Sequence, residues 1–149
     1  MARVRRIAVA YITHADRLLV FTQPDFPEAG IQVPAGAVKD GEEPDEAVMR
    51  EAVEETGLNG LRLQSFLGDE RLSPPGWDEV HHCFFYHLTC DVVPPARWRH
   101  DETDPADGSP RPITFEFFWV GLRDELPTLS GGQDAMAPKL LKRLGLERS

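Results

Sequence analysis

Residues Gly36–Leu58 read GAVKDGEEPDEAVMREAVEETGL, and they predict a glycine turn and an acidic loop that lead into a helix. Pro44 suits the first helical turn, because its missing N–H has no intrahelical partner to lose there. Gly57 suits the end of the helix, since a left-handed C-terminal cap costs glycine little. The stretch therefore predicts a helix that begins at Pro44 and stops before Gly57.

Three glutamates, Glu51, Glu54 and Glu55, stand at positions i, i+3 and i+4 of that helix, so their carboxylates share one face. Arg50 relieves their repulsion only in part, because it points about 100° away from Glu51 around the helix. A divalent cation would complete the face, since Mg²⁺ prefers oxygen ligands and is held by a few carboxylates together with substrate phosphates. No cysteine or histidine stands at ligand spacing in this stretch, which argues against zinc. The alternative is a solvated acidic helix face.

The residues around these glutamates carry a resemblance to a known family. The pattern Gly-x5-Glu-x7-Arg-Glu-U-x-Glu-Glu-x-Gly-U, with U an aliphatic residue, is the signature of the Nudix hydrolases, and this sequence resembles it throughout. The matching residues are Gly36, Glu42, Arg50, Glu51, Glu54, Glu55, Gly57 and Leu58, with Ala52 as a small apolar residue at the other U position. The resemblance implies an α/β fold of the Nudix type, an α/β/α sandwich with a mixed β-sheet between helical layers.

The resemblance also implies a metal site and a reaction. In the family, the loop–helix–loop holds Mg²⁺ or Mn²⁺, and water attacks a phosphorus of a nucleoside diphosphate that is linked to another group. The metal ligands that it implies here are Glu51, Glu54, Glu55 and the carbonyl of Gly36.

Arg50 and Glu42 are expected to pair and to hold the metal ligands in place, as metal-binding carboxylates require. A glutamate must also accept the proton of the attacking water, and this base differs within the family. Glu51 and Glu54 are the two candidates, so the expected catalytic residues are Arg50, Glu51 and Glu54.

The composition of the 149-residue chain is that of one globular domain, residues 1–149, with 41% hydrophobic and 28% charged residues. Its net charge of −9 disfavours a nucleic-acid or anionic-membrane partner, which would require a basic patch. No apolar stretch approaches membrane length. Cys83 and Cys90 lie in one predicted strand and face opposite sides, so they cannot bridge each other. Both are expected to be reduced thiols in a cytoplasmic protein.

Outside the motif, apolar alternation predicts six strands and a second helix, which would cover the sheet on the side opposite the first helix. The order β-β-β-α-β-β-β-α agrees with a mixed sheet between helical layers. The predicted strands are Arg6–Thr13, Arg17–Thr22, Ile31–Val33, Leu61–Leu67, Val80–Val93 and Ile113–Val120, and the predicted helix is Gln133–Leu144.

The segment Ala96–Pro112, ARWRHDETDPADGSPRP, is polar and interrupted by proline, and it is predicted as a long loop. Such a loop is usually functional or disordered. It would either lend Glu102 or Asp101 to the site as an extra ligand or base, or remain a solvated mobile loop. Glu116, on the strand that follows, is a further candidate base.

The substrate prediction favours ADP-ribose or a nucleotide sugar. Pro34-Ala35-Gly36 and the stretch Ser73–Glu79, SPPGWDE, resemble the ADP-ribose pyrophosphatase branch of the family, although an extra proline alters the spacing. Trp77 would stack on a base or ribose. The alternatives are a nucleoside triphosphate pyrophosphohydrolase, a non-catalytic nucleotide-binding regulatory module and a protein-interaction domain. The oligomeric state stays open, with a homodimer among the possibilities.

Overall fold

Residues 3–73, 76, 78–102 and 112–146 are described by a computed structural model of the chain. Within these residues, seven strands and two helices follow one another in the order βββαββββα, and short 3₁₀ turns lie at Pro27–Ala29 and Ser130–Gly132. The strands are β1 (Arg3–His14), β2 (Arg17–Thr22), β3 (Ala35–Ala37), β4 (Leu61–Leu72), β5 (Glu79–Cys90), β6 (Arg97–Glu102) and β7 (Ile113–Gly121). The helices are α1 (Pro44–Thr56) and α2 (Ala137–Arg143).

The strands form a single mixed sheet in the order β4-β5-β1-β2-β7-β6, and β3 pairs with β1. β1 and β5 run parallel, from Arg3 opposite Glu79 to Thr13 opposite Thr89. The other pairs of strands are antiparallel. β1 therefore lies inside the sheet, and it carries β3 directly alongside the second half of the acidic helix.

Successive residues of each strand point to opposite sides of the sheet, so the sheet has two faces that must be covered. A helix packs on each of them. On one face, Ala47, Val48 and Ala52 of α1 pack with Phe115 and Phe117. On the other face, the buried residues of the second core include Met136 and Leu140 from the α2 region together with Val9, Tyr11 and Phe85. The predicted α/β/α sandwich is confirmed.

The ends of α1 lie where the sequence predicts them. Pro44 occupies the first turn, and the side chains and backbone N–H groups of Glu43 and Glu46 form a reciprocal capping box. At the other end, Gly57 adopts the left-handed conformation with φ of 71°, and its N–H donates to the carbonyl of Val53. Pro44 and Gly57 thus mark the two ends of α1 through the backbone conformations that the sequence analysis expects of them.

Several element boundaries differ from the sequence prediction. β1 begins at Arg3 rather than Arg6, and β4 continues to Leu72 rather than ending at Leu67. The segment predicted as the strand Ile31–Val33 makes only an isolated bridge between Gln32 and Phe21, and the paired strand is Ala35–Ala37. The second helix begins at Ala137 rather than Gln133, because the preceding glycines form a 3₁₀ turn. The strand predicted to reach Val93 ends at Cys90.

The prediction of a continuous loop over Ala96–Pro112 is wrong in its first part, where β6 pairs with β7. β6 lies at the edge of the sheet and carries charged residues on its outward face, so its apolar signal is weak. Residues 103–111 of the predicted loop lie outside the described residues.

Two further predictions concern the chain as a whole. Cys83 and Cys90 are both free and buried, and they pack into the cores on opposite faces of the sheet, as predicted. In the described part of the chain, neither helix has the length and apolarity needed to cross a membrane.

Candidate metal centre

The site begins where β3 brings Gly36 against α1. The pairing of β3 with β1 sets Gly36 opposite Ala8. A Cβ atom at Gly36 would lie 2.1 Å from Cδ of Glu51 and 2.2 Å from its Oε2. Such distances are far below van der Waals contact, so the Glu51 carboxylate can occupy this position only because residue 36 has no side chain.

Arg50 connects the acidic loop to the helix through a single guanidinium group. Its Nε and Nη2 donate to the two carboxylate oxygens of Glu42 at 2.8 and 2.9 Å, and Nη2 also donates to the carbonyl of Ala37 at 3.0 Å. Its Nη1 donates to Glu51 at 2.7 Å and to Glu54 at 3.3 Å. This planar fork fixes the orientation of the Glu51 carboxylate.

The Arg50 guanidinium lies between the carboxylate of Glu42 in the acidic loop and the carboxylates of Glu51 and Glu54 on the helix. Hydrogen bonds from Arg50 lower the pKa of Glu42 to about 2, and the pairing raises the pKa of Arg50. Glu42 and Arg50 are therefore both ionised across the physiological range. Arg50 pairs with Glu51 in spite of the angle of about 100° between the two positions around the helix, because its long side chain reaches across. It also pairs with Glu54 but, within the described residues, makes no ion pair with Glu55, so its relief of the helix face is partial.

Glu55 is the most deeply buried carboxylate of the site, with 2% of its surface exposed. The N–H of Ala35 lies 3.3 Å from its Oε2 and is the hydrogen-bond donor recorded for it within the described residues. Burial raises the pKa of Glu55 well above its ordinary value, and the nearby carboxylates of Glu102 and Glu51 raise it further. Burial also raises the pKa of Glu51, against the opposing effect of Arg50. Without a cation, burial therefore makes the charged forms of Glu51 and Glu55 less favourable than those of exposed carboxylates.

Glu102, the last residue of β6, completes a cluster with Glu51 and Glu55. One carboxylate oxygen from each of the three residues lies within 4.8 Å of the others. Two ligands on opposite sides of Mg²⁺ are about 4.2 Å apart, since each Mg–O bond is about 2.1 Å, so the three oxygens span little more than one ion. Oxygen ligands and the absence of sulfur or nitrogen in this group suit Mg²⁺ or Mn²⁺. The residues present fit a hard divalent cation.

The other predicted site residues take different positions. Glu54 lies outside the cluster with its side chain 53% exposed, and its part as a ligand stays a prediction, as does that of the Gly36 carbonyl. Asp101 is exposed and accepts a hydrogen bond from Thr114 at 2.7 Å. Glu116 points away from α1 and pairs with arginines of β6. Trp77 lies outside the described residues.

A cavity of about 600 Å³ lies on the α2 side of the sheet. Val9 lines the cavity and pairs with Ala35, whose N–H contacts Glu55. The Val9–Ala35 pair thus links the wall of the cavity to the backbone that contacts Glu55. The remaining lining residues are Ile7, Gln32, Leu72, Ser73, His81, Cys83, Phe85 and Ser130–Gln133.

Comparison with known proteins identifies the family. A family model of the NUDIX domain matches residues 3–140, and the chain therefore belongs to the Nudix family. Its fold is similar to the crystal structure of a UDP-X diphosphatase, with a TM-score of 0.68 and 15% identity over 100% of this chain. The chain spans 66% of the length of that structure.

A second solved structure, a hydrolase of the NUDIX family from Clostridium perfringens, has a TM-score of 0.61 and 20% identity. The match covers 93% of this chain and 97% of the other. At these identities the structures support the fold. The prediction of a Nudix hydrolase is confirmed at the level of the family.

Proposed function

We propose that the chain is a metal-dependent pyrophosphohydrolase that cleaves a nucleoside diphosphate linked to another moiety. The observation that supports this function best is the convergence of Glu51 and Glu55 from α1 with Glu102 from β6. These carboxylates come from two elements and repel one another, so they meet at a cost that a bound cation would remove. Membership of the Nudix family supports the same class of reaction.

Glu51, Glu55 and Glu102 would hold Mg²⁺ or Mn²⁺, with Glu54 and the carbonyl of Gly36 as the further ligands that the motif predicts. When bound, the cation would neutralise charge on the phosphoryl oxygens and lower the pKa of the attacking water. The residues around the metal site orient its ligands before substrate binds.

Arg50 keeps the Glu51 carboxylate against Gly36, and Glu42 holds Arg50 in place from the acidic loop. Loss of this support would let the Glu51 carboxylate rotate away from the cluster, as happens when the partners of metal-binding carboxylates are removed. Arg50 therefore contributes to catalysis by orienting Glu51.

Two glutamates are the candidates for the base that accepts the proton of the attacking water. Glu51 lies in the cluster and has a raised pKa, which brings a carboxylate nearer to the range of an effective base. Glu54 has an exposed carboxylate beside the cluster. The pH profile of kcat for Glu54→Gln, measured with metal saturating at every pH, distinguishes them, because the acidic limb would disappear if Glu54 is the base and persist if Glu51 is.

The cavity on the α2 side of the sheet supports a nucleoside-sized substrate. Its volume of about 600 Å³ falls in the range of small-molecule sites, and its walls combine apolar side chains with the polar side chains of Gln32, His81 and Gln133. We propose that the nucleoside occupies this cavity, and that Trp77 stacks on the substrate. ADP-ribose and nucleotide sugars are the preferred substrates, and likeness to a UDP-X diphosphatase favours testing UDP-sugars early. A nucleoside triphosphate is the alternative.

A screen of nucleoside diphosphate derivatives and nucleoside triphosphates, with Mg²⁺ or Mn²⁺ and with products identified by mass, tests this function. We expect cleavage at the pyrophosphate that stops in chelator and in Glu55→Gln. Reaction in oxygen-18 water would identify the phosphorus attacked. Binding without turnover for every compound would instead support a nucleotide-binding module.

Two further proposals concern the setting of the protein. The two buried free thiols favour a reducing compartment, and we propose the cytoplasm. A homodimer is proposed as the form to test in solution, by light scattering.

A further inference from the structure

β6 directs three alternate side chains, Trp98, His100 and Glu102, towards α1. These residues are partly buried, whereas the intervening residues of the strand are exposed. β6 lies at the edge of the sheet and, within the described chain, pairs with β7 alone. One strand thus carries a row of three inward-facing groups, of which the last belongs to the carboxylate cluster.

The first two of these groups bind the C-terminal end of α1. The last four carbonyls of a helix lack intrahelical partners. Nε1–H of Trp98 donates to the carbonyl of Thr56 at 2.9 Å, and Nε2 of His100 lies 2.9 Å from the carbonyl of Glu54. Because a carbonyl can only accept, Nε2 of His100 must carry the proton in this contact.

Close packing fixes both rings in place. The Trp98 ring stacks on Phe117 with their centroids 5.1 Å apart and their planes 19° apart. A Cβ atom on Gly57 would lie 2.9 Å from Cε1 and Nδ1 of His100, so the imidazole rests directly against the backbone of the helix cap. The distance from β6 to α1 is therefore set by ring contacts as well as by hydrogen bonds.

We propose that Trp98 and His100 are positioning residues that hold Glu102 in the carboxylate cluster. Glu102 lies on an edge strand and faces Glu51 and Glu55, whose negative charges repel it. The two N–H···O=C bonds to α1 oppose that repulsion, because they fix the strand at the positions four and two residues before Glu102. This inference rests on the proposed function, since it assigns Glu102 to the metal.

Affinity for Mn²⁺, measured by electron paramagnetic resonance of the free ion at constant pH, tests the proposal. His100→Leu removes the donor, and we expect about 10-fold weaker binding, the lower end of what loss of a supporting contact costs a metal site. His100→Gln can place an amide N–H near the position of Nε2, and it should restore most of the affinity. A purely structural role for the ring would leave both variants equally weakened.

The decisive comparison repeats His100→Leu in a Glu102→Gln background. If His100 acts through Glu102, its substitution should change Mn²⁺ affinity little once Glu102 is neutral. An equal loss in both backgrounds, or unchanged affinity in Glu102→Gln alone, would overturn the inference. Trp98→Phe gives the same test in a variant that keeps an aromatic ring over Phe117 but lacks the N–H donor.

The proposed function fails in a different way. If the wild-type chain binds no Mn²⁺, both the metal site and the inference are rejected. If it binds Mn²⁺ and needs Glu51 and Glu55 but is indifferent to His100 and Trp98, the proposed function survives and the positioning role is rejected.

Discussion

Glu55→Gln is expected to stabilise the metal-free protein while abolishing the metal site. Glu55 is 2% exposed, and its pKa is raised by burial and by the carboxylates of Glu102 and Glu51. Glutamine keeps the side-chain oxygen that faces the N–H of Ala35, and it removes the ionisable group. The substitution therefore deletes an unfavourable charge without deleting the hydrogen-bond acceptor.

The size of the effect follows from the spacing of the cluster. Two unit charges at 4.8 Å repel by about 3.5 kcal/mol at an effective dielectric constant of about 20. Repulsion of Glu55 by two neighbours would then reach about 7 kcal/mol. Protonation of Glu55 limits this cost. For a carboxyl group with an ordinary pKa of 4.5, staying protonated at pH 8 costs about 5 kcal/mol at most. Since the buried amide has its own desolvation cost, we expect a net gain of about 2 kcal/mol.

The assay is thermal unfolding in chelator at pH 8 and at pH 4. For a chain of this length, a gain of about 2 kcal/mol corresponds to a rise in Tm of about 6 °C. A raised pKa gives stability that is complete below the unfolded-state value and is lost as pH rises through the folded-state value. The advantage of Glu55→Gln should therefore appear at pH 8 and vanish at pH 4. Glu54→Gln is the matched control, because Glu54 is exposed, and its Tm should change little.

An unchanged or lower Tm for Glu55→Gln at pH 8 would refute this reasoning. It would mean that the Glu55 carboxylate is already compensated in the metal-free protein. An equal rise in Glu54→Gln would also contradict it, since the effect would then reflect net charge rather than burial.

Three other outcomes are expected. Binding of Mn²⁺ should release protons and tighten from pH 5 to pH 8, because the raised pKa values of Glu51 and Glu55 make the metal compete with protons. Calorimetry in two buffers of different ionisation enthalpy measures this proton release. Binding without proton release would argue against the raised pKa values. Gly36→Ala should weaken Mn²⁺ binding about 10-fold or more by displacing Glu51, whereas Gly41→Ala, with open space at its Cβ, should strain the backbone but leave metal affinity intact. Arg50→Lys keeps the charge but loses the fork to Glu42, so kcat should fall with the fold retained; activity equal to the wild type in a steady-state assay would contradict an orienting role.

Much of the fold was predictable because its signals are local. The first helix is marked by Pro44 and Gly57, which act on the backbone at its two ends. The strands with apolar alternation are recognisable without knowledge of their neighbours. The carboxylates of α1 share a face by helical geometry alone, and this made a metal site predictable.

β6 was not predictable in the same way. Its inward-facing residues are an indole, an imidazole and a carboxylate, and its outward-facing residues are charged, so the segment has a polar composition. Its strand geometry depends on pairing with β7 and on hydrogen bonds to the end of α1. The proximity of Glu102 to Glu55 therefore arises from tertiary contacts. The alternation of Trp98 and His100 with arginines was the available signal.

The exposure of Glu54 also could not be predicted from helical spacing. Spacing puts Glu51, Glu54 and Glu55 on one face, but it does not determine which of them the sheet buries. The sheet side of α1 receives Glu55, while Glu54 remains half exposed beside Arg50.

Anomalous diffraction from crystals soaked in Mn²⁺ tests the central claim most directly, because it locates the ion without reference to turnover. We expect a peak between the carboxylates of Glu51, Glu55 and Glu102, and its loss in Glu55→Gln crystals. A saturating soak that leaves this position empty, or that places the ion only on exposed carboxylates elsewhere, would contradict the account.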